Sequence, residues 1–430
     1  MSFSTFFRML ALLPAFVIST AVNGQNVIHP RIYTACGGRF EFSPPYTDFA
    51  SLQFTDPFTD QTVLIDSIFT ESVQSLAKNE SYLYLATGDS LIQYDLQTLK
   101  AQKQVYLQGI NKIAVNNNFI IASRQYPVTS GFVHILDAAT LELILEADSI
   151  SGEAAGVLIA GDTAFVAVNG GWAGTTGKLA LIALNPPSFL AEYDLGTEAA
   201  GIFDLFEHNA KIVTVNKTPW GGTSGTLSLF DPSGLTVIHS LIPHVVGNGY
   251  FIHNGSLFLN LDGNIGLFDL NNREVTNPIF IPNPAAGVFG SISSASVDTL
   301  DDMIYFNTTD YFSFGQGYRY KLEGDSTGVF PAGISPDAQI VDYPDVTAVP
   351  VPIRPECMLW PNPAGEFIHI HAQQPIEEAI IYNMNGTRVY STHLNGKTEA
   401  VLSLGHLSPG FYCIRLKTNN THQTLKFNKL

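Results

Sequence analysis

Short runs of alternating apolar and polar residues recur along the middle of the chain, and they come in pairs. A polar loop separates the two runs of each pair, and the second run ends at Asp or Asn. Alternation with a period of two predicts β-strands with one buried face. The clearest pairs are 83–86 with 91–95, 119–122 with 132–137, 164–168 with 179–185, 211–215 with 227–231, and 257–260 with 265–269.

The spacing of these pairs indicates a repeat. The strand-ending Asp or Asn falls at positions 95, 137, 185, 231 and 269, which are 38 to 48 residues apart. Four short strands in about forty residues are typical of a β-propeller blade, and blades stack around an axis because none can bury both faces alone. The alternative, an array of β-sandwiches, does not require so regular a period.

Two further segments complete the count of blades. Residues 303–321 and 32–56 contain strands of the same type, so we predict seven blades. The first blade has no obvious innermost strand. We expect segment 333–343 to return and supply it, which would fasten the first blade to the last.

Length and charge narrow the class of protein. A chain of 430 residues is too long for one hydrophobic core, and its 45% apolar content excludes disorder. The formal net charge of −17 argues against a nucleic-acid partner, because phosphates require a basic surface. A folded, loop-rich secreted protein remains.

The first 24 residues predict a secretory signal peptide. Arg8 precedes the apolar run 9–21, and small or polar residues continue to Gly24. The run is too short to span a bilayer, and no other stretch approaches the roughly 20 apolar residues of a membrane helix. We therefore expect export without a transmembrane segment.

The end of the chain is a separate unit. Residues 344–356 form a Pro-rich, extended linker, and residues 357–430 hold six basic against four acidic residues in an otherwise acidic chain. The alternating run 367–371 and the turn signals Asn385-Gly386 and Pro409-Gly410 predict a small β-sandwich.

Three motifs in this tail, within 360–364, 380–389 and 407–416, resemble the C-terminal sorting domain of proteins exported by the type IX secretion system of Bacteroidetes-group bacteria. The matching residues include Pro361, Asn362, Pro363, Gly386, Arg388, Gly410 and Tyr412. The resemblance implies recognition by the type IX secretion machinery, passage across the outer membrane, and a final place on the cell surface or outside the cell.

The repeat itself, with an apolar strand leading to an Asp or Asn turn, resembles YVTN-type surface propellers. It is similar to a seven-bladed family of unknown general function that includes vitamin-B12-capturing surface proteins. This resemblance covers residues 25–343 and is one of pattern. It implies a surface binding protein and a planar nutrient, such as a corrinoid, as one class of ligand.

Candidate ligand-binding residues lie in the loops between the second and third strands of four blades. Each loop places an aromatic residue five positions before a Gly, and the aromatics are Tyr126, Trp172, Trp220 and Phe312. Such loops leave the blade on the same side as the connections between blades. Flat rings with nearby hydroxyls suit a planar or sugar-like ligand. The alternative is that each aromatic packs against the neighbouring blade while the Gly serves a turn.

Polar residues near the predicted channel mouth are the second set of candidates, and the alternative, which the sequence favours for each, is a solvated loop residue. They are Asn111, Glu153, Glu198 and His244. A third set resembles the O-glycosylation sequon of Bacteroidetes-group exported proteins, in which Ser or Thr follows Asp; exposed turns favour the same residues. This set contains Ser67, Ser90, Ser149, Thr163, Thr299 and Ser326.

No nucleophile elbow, metal-binding helix, phosphate loop or Cys-x-x-Cys pair is present, so no metal or cofactor is predicted. The sequence predicts an all-β protein, a seven-bladed β-propeller plus a small C-terminal β-sandwich. Its predicted function is that of an exported binding module for a small molecule or glycan. An extracellular hydrolase or lyase with a site at the channel mouth and a structural adhesion protein are the two alternatives.

Overall fold

The computed structural model describes residues 30–39, 48–70, 72–171, 174–219, 221–286, 290–343, 357–383, 387–418 and 422–430. The chain forms two compact units, residues 1–346 and 347–430. Nearly all regular structure in the described residues is β-strand, and one short 3-10 helix covers Thr197–Ala199. The predicted all-β class is therefore confirmed.

The first unit contains seven four-stranded antiparallel sheets, which are the predicted blades. The strands of each blade are numbered first to fourth from the axis outwards. Blade 1 contains β28 (Ala338–Asp342), β1 (Arg31–Cys36), β2 (Ala50–Asp56) and β3 (Gln61–Ile68). Blade 2 contains β4 (Val73–Lys78), β5 (Tyr82–Thr87), β6 (Ser90–Asp95) and β7 (Ala101–Tyr106). Blade 3 contains β8 (Ile110–Val115), β9 (Phe119–Arg124), β10 (Val133–Asp137) and β11 (Leu143–Glu146). Blade 4 contains β12 (Ala154–Ala160), β13 (Thr163–Val168), β14 (Lys178–Leu184) and β15 (Pro187–Asp194).

The remaining blades repeat the arrangement. Blade 5 contains β16 (Ile202–His208), β17 (Lys211–Asn216), β18 (Gly225–Asp231) and β19 (Thr236–Ile242). Blade 6 contains β20 (Val246–His253), β21 (Ser256–Leu261), β22 (Asn264–Asp269) and β23 (Glu274–Ile281). Blade 7 contains β24 (Ser291–Asp298), β25 (Met303–Thr309), β26 (Phe314–Lys321) and β27 (Ser326–Ile334).

Blade 1 is completed by the end of the propeller chain, as predicted. Strand β28 pairs with β1, in the register Ile32 to Val341 and Thr34 to Gln339. The completing strand is shorter than the predicted segment because Gly333 and Ile334 belong to β27. The ring is thus closed by main-chain hydrogen bonds rather than by side-chain packing alone.

Seven buried apolar clusters hold the blades together, and each combines side chains from two adjoining blades. This is the packing expected of sheets too small to form a core alone. The cluster between blades 7 and 1 is small, with Ile32, Tyr305 and Phe330 fully buried. An ion pair between Arg319 and Asp60, at 3.0 Å, adds a polar tie across the same junction.

The recurrent Asp that marks the repeat has a local structural role. At Asp95, Asp137, Asp231 and Asp269 the carboxylate accepts amide hydrogen bonds from the residues two and three positions later. These are Asx turns, which join the third strand to the fourth. The same hydrogen bonds lower the pKa of Asp137 and Asp269, and the Ser233 hydroxyl and amide lower that of Asp231 to about 2. These residues form the turns at the lower face, away from the interblade connections.

The second unit is one five-stranded sheet: β29 (Cys357–Trp360), β30 (Phe367–Asn383), β31 (Arg388–Ser403), β32 (Gly410–Thr418) and β33 (His422–Lys429). Strands β30 and β31 are long and their pairing shifts register near residue 376. Ile368 and Ile370 before the shift and Ile376 and Ile381 after it belong to one buried cluster. The two halves of the sheet therefore face each other, which gives the predicted sandwich from a single folded sheet.

Candidate functional site at the channel mouth

The upper face of the propeller is the side at which the second-to-third-strand loops and the interblade connections emerge. Tyr126 lies in the loop between β9 and β10, and its side chain is 79% exposed. Phe312 lies between β25 and β26 and is 49% exposed. Both side chains are at least half accessible to solvent or close to it. Trp172 and Trp220, the other two predicted aromatics, lie outside the described residues.

Two of the predicted polar residues form part of the scaffold of this face. The side-chain amide of Asn111 donates to the carbonyl of Ala154 at 2.9 Å, which links blades 3 and 4. The carbonyl of Glu153 accepts the amides of Asn169 and Gly170, at 3.0 and 3.1 Å. These contacts fix the start of β12 against the loop that follows β13.

The other two predicted polar residues lie nearer to solvent. Glu198 is exposed in the short 3-10 helix, where its own backbone amide and the Thr197 hydroxyl lower the pKa of its carboxyl. His244 Nδ1 lies 2.7 Å from Asp262 Oδ2, and the amide of Val245 donates to the other oxygen of Asp262 at 2.8 Å. Asp262 belongs to the hairpin turn between β21 and β22, so His244 ties the interblade connection to that turn.

A ring of β-bulges surrounds the mouth of the central channel. Six of the seven innermost strands shift register near their upper end, and in each case the extra residues lie on the innermost strand. The shifts fall between Val73 and Ser75, Ile110 and Ile113, Ala154 and Val157, Ile202 and Asp204, Val246 and Tyr250, and Ile292 and Ser294. Bulges re-aim side chains and are common beside functional sites. The repeated bulge makes the channel mouth the candidate site.

Short polar side chains on the second strands form hydrogen bonds with backbone groups of the bulged residues. Ser123 accepts the amide of Lys112 at 3.0 Å and donates to the carbonyl of Lys112 at 3.2 Å. Asn260 donates to the carbonyl of Asn248 at 2.8 Å. The Oδ1 atom of Asn260 is buried and has no hydrogen-bond partner among the described residues.

A cavity of about 310 Å³ opens at the upper face between blades 6 and 7. Its lining includes Asn248, Asn260, Gly263, Ser291 and Tyr311. The lining also includes Val245 and Ile292, so it is of mixed polarity, and the cavity adjoins the bulges of β20 and β24.

Four charged residues from three blades lie at the channel mouth, and none of them was predicted from the sequence. Lys112 and Asp204 are the third residues of β8 and β16, Lys217 directly follows β17, and Asp337 directly precedes β28. Burial is the largest influence on three of them: it raises the pKa of Asp204, raises that of Asp337 to about 7, and lowers that of Lys217 to about 8. The charge of Lys112 lowers the pKa of all three groups.

The Lys112 ammonium donates to the carbonyl of Gln74 in blade 2 at 3.4 Å. Each of the four side chains retains some solvent-accessible surface although protein surrounds it, which is the environment of a residue that lines a narrow channel. The sequence carries a signal for only two of them: Lys112 and Asp204 are charged residues in the third position of an innermost strand. That signal has meaning only after the innermost strands have been identified.

The predicted glycosylation residues differ in accessibility. Ser67, Ser149, Thr299 and Ser326 are exposed, and Thr163 is half-buried. Ser90 is buried, and its hydroxyl donates to Asp89 at 2.9 Å. The folded propeller thus presents five of these six hydroxyls, at least in part.

The sorting-motif residues of the tail lie near its last strands. Asn362 accepts the amide of Asn428 at 2.9 Å and donates to the carbonyl of Lys426 at 3.3 Å. The Tyr412 hydroxyl donates to the carbonyl of Ser408 at 2.8 Å. Pro361 and Pro363 flank Asn362 between β29 and β30, Arg388 begins β31, Gly410 begins β32, and Gly386 lies outside the described residues.

Comparison with known proteins identifies the tail and the fold. Residues 358–429 match the family of the secretion system C-terminal sorting domain. No curated protein matches the chain. No helix in the described part of the chain has the length and apolar character needed to cross a membrane.

Several solved structures are similar to the chain. A quinonprotein alcohol dehydrogenase-like protein from Bacteroides thetaiotaomicron aligns at 11% identity with a TM-score of 0.51, over 74% of this chain and 78% of that one. A chain of the mitotic checkpoint complex aligns at 10% identity with a TM-score of 0.50, over 71% and 97%. Apo AztD from Citrobacter koseri aligns at 12% identity with a TM-score of 0.48, over 74% and 98%.

At these identities the first two similarities show the fold alone. The tail match adds the destination, because this domain directs export to the cell surface or secretion. The chain is therefore a seven-bladed all-β propeller that carries a C-terminal sorting domain of the type IX secretion system.

Proposed function

We propose that this exported protein is a binding module that captures a small molecule on the upper face of its propeller. The observation that carries the proposal is the exposure of Tyr126 and Phe312 on loops of that face. Solvent-accessible aromatic rings that share one face offer stacking surfaces for a planar ligand. A planar nutrient such as a corrinoid, stacked on Tyr126, Trp172, Trp220 and Phe312, is the ligand class that this set of residues suits best.

The proposal gives each segment of the chain a separate role. Residues 1–24 act as the leader, 25–343 form the YVTN-like propeller, 344–356 act as linker, and 357–430 engage the type IX secretion machinery. The tail therefore directs export of the protein, and the propeller binds the ligand. The acidic propeller has no role with nucleic acid.

The test is retention of small molecules from rich culture medium by the full chain, read by mass spectrometry. We expect the native protein to retain a planar compound, and the double variant Tyr126→Ala with Phe312→Ala to lose it without a change in unfolding temperature. Phe58→Ala is the matched control, since Phe58 is 58% exposed in a third-to-fourth-strand turn of the lower face. Retention of nothing from several media would reject capture and favour the adhesion alternative.

One observation favours an enzyme as the second candidate. Asp204 and Asp337 come from different blades, and burial raises the pKa of both, which suits a carboxyl group that acts as a general acid. A hydrolase or lyase acting on extracellular carbohydrates or lactones would lose turnover in both Asp204→Asn and Asp337→Asn. Absence of turnover across a panel of such substrates would eliminate this candidate.

A further inference from the structure

The bulge of blade 6 differs from the other five. Between Val246 and Tyr250, strand β20 places residues 247–249 opposite the single residue Asn260 of β21, so this bulge contains two extra residues. Each of the other bulged innermost strands contains one extra residue. Bulges re-aim side chains and are common beside functional sites, and here one member of a repeated set is enlarged. Blade 6 is therefore the place where the ring of bulges departs from its regular pattern.

The cavity of about 310 Å³ lies at this enlarged bulge, because Gly247 and Asn248 are among the residues that line it. The side-chain amide of Asn260 donates to the carbonyl of Asn248 at 2.8 Å and to the carbonyl of Ile292, in blade 7, at 3.4 Å. Asn260 is only 5% exposed. One buried amide thus positions two walls of the cavity, which are the start of β20 and the start of β24.

A third wall of the cavity contains an aromatic residue in a disfavoured backbone conformation. Tyr311 follows β25 and lines the cavity, and its φ of 65° lies in the left-handed region. In the described part of the chain it is the only aromatic residue with a positive φ. The Thr309 hydroxyl accepts the Tyr311 amide at 2.9 Å, and the Asp310 carboxylate accepts the amides of the next two residues at 2.8 and 2.7 Å. Such a conformation persists where its surroundings fix it, and it is frequent at ligand sites.

The cavity offers hydrogen-bonding groups without offering charge. None of the described residues that line it is charged. The neighbouring carboxylate, Asp262, already accepts the amide of Val245 at 2.8 Å, and its other oxygen lies 2.7 Å from Nδ1 of His244. A charged ligand would therefore find no counter-ion in the cavity, which favours an uncharged molecule.

Three polar groups of the lining are available to such a molecule. The side-chain amide of Asn248, the hydroxyl of Ser291 and the phenol hydroxyl of Tyr311 form no hydrogen bond with the described residues. Val245 and Ile292 add apolar surface, and the Tyr311 ring adds aromatic surface. A pyranose sugar carries the complementary groups, because its hydroxyls donate and accept hydrogen bonds while its C–H faces pack on aromatic and aliphatic side chains.

We propose that the cavity between blades 6 and 7 binds one uncharged hexopyranose, either as a free sugar or as the end of a glycan. Its volume of about 310 Å³ lies at the lower end of the range of ligand pockets, about 300 to 1,000 Å³, and suits one sugar ring rather than a corrinoid. Because the cavity opens at the upper face, the rest of a glycan can extend into solvent. The site is formed by residues other than the four rim aromatics, so it goes beyond the planar ligand proposed above and each proposal can fail without the other.

The experiment is calorimetric titration of the full-length protein with neutral hexoses, their methyl glycosides and oligosaccharides that end in them. We expect at least one hexose to bind, and the uronate and amino sugar of the same configuration to bind at least about tenfold more weakly, because the cavity holds no counter-ion. Equal or tighter binding of the glycosides would identify the ligand as a glycan end, and loss of binding in the glycosides would identify it as the free sugar. Both results support the site.

Two substitutions separate a binding role from a structural one. Asn248→Ala removes one hydrogen-bonding side chain and is expected to weaken binding about tenfold. Tyr311→Asn removes the ring but keeps a residue that tolerates a positive φ, so it is expected to weaken binding at least about tenfold with little change in unfolding temperature. Leu235→Asn is the matched control, since Leu235 also has a positive φ, of 52°, and is 56% exposed in the turn between β18 and β19 on the lower face. It should leave sugar binding unchanged.

Several outcomes would overturn the proposal. One is the absence of binding by every neutral hexose and methyl glycoside at about 10 mM. Others are equal binding of a hexose and its uronate, and binding that neither Asn248→Ala nor Tyr311→Asn weakens. If Tyr311→Asn does not fold, Asn248→Ala gives the same comparison, because Asn248 is exposed. Loss of sugar binding in Tyr126→Ala, with Asn248→Ala unaffected, would assign the sugar to the rim aromatics instead.

Discussion

Tyr33 pairs in register with Ile340, so a strand near the start of the described propeller lies beside its last one. This pairing joins blade 7 to blade 1 through the main chain. The apolar cluster at the same junction is small. Closure of the ring therefore depends strongly on the ladder between β1 and β28.

A proline in the closing strand tests this dependence. Ile340→Pro removes a ladder amide and is expected to lower the free energy of unfolding by about 3 kcal/mol. Leu190→Pro is the control, because Leu190 is 54% exposed at a bulge of the outermost strand β15. We expect the control to change stability by less than about 1 kcal/mol. Equal losses of unfolding free energy in the two variants, measured by calorimetry, would show that the ladder between β1 and β28 contributes no more to stability than an outermost strand does.

The close approach of blades 4 and 5 gives a second prediction. A Cβ atom at Gly156 would lie 2.4 Å from the Cα atom of Asp204, where neither backbone can easily yield. Gly156→Ala is expected to cost about 2 kcal/mol. Gly234→Ala, whose Cβ would meet Thr236 at no less than 3.8 Å, should be neutral or stabilising by less than about 1 kcal/mol. Chemical denaturation of both variants checks the difference, and a neutral Gly156→Ala contradicts the packing described.

Asp337 predicts the pH dependence of stability. Burial raises its pKa to about 7, although the charge of Lys112 opposes this, whereas the ordinary value is 3.8. Between these pH values the folded protein binds more protons than the unfolded chain, so the contribution of Asp337 to stability falls as pH rises from about 4 to about 7.

Asp337→Asn removes that proton linkage. The variant is expected to exceed the native protein in stability by about 2 kcal/mol at pH 8, roughly half of the full conversion of the pKa shift, because channel water still reaches the carboxyl. The difference should vanish near pH 4. Thermal unfolding across this range provides the measurement, and a constant difference at all pH values would disprove the assignment.

The sorting motif gives a prediction for the tail. Asn362 makes two hydrogen bonds to the last strand, so Asn362→Ala is expected to destabilise the attachment of β33 by about 1 kcal/mol. Faster amide hydrogen exchange at residues 426–429 would report this change. We expect the exported fraction to fall with it. Lys397→Ala, an exposed change in β31, serves as the comparison and should leave both quantities unaltered.

Several features were predictable from local pattern. The alternating runs located second and third strands such as β9 and β10, and the repeat length fixed the number of blades. Both predictions depend on a periodic pattern in residues that lie close together in the sequence. The return of the last strand was also predicted, because the first blade was one strand short.

The channel mouth was not predictable in the same way. A bulge adds a residue to one strand without disturbing the apolar alternation enough to reveal its position. Lys112 and Asp337 are far apart in the chain, and only closure of the ring brings their charges into one electrostatic field. The rim aromatics Tyr126 and Phe312 were found because their loops share a sequence pattern.

The position of Ala338–Asp342 at the end of the propeller also dictates an order of events during synthesis. Until the ribosome has released these residues, the inner edge of β1 has no hydrogen-bonding neighbour, and such uncovered edges recruit foreign strands. Contacts between residues so distant in sequence form slowly. We expect completion of the ring to be a late step, so an exporting cell has to shield an open array of blades until its last strand arrives.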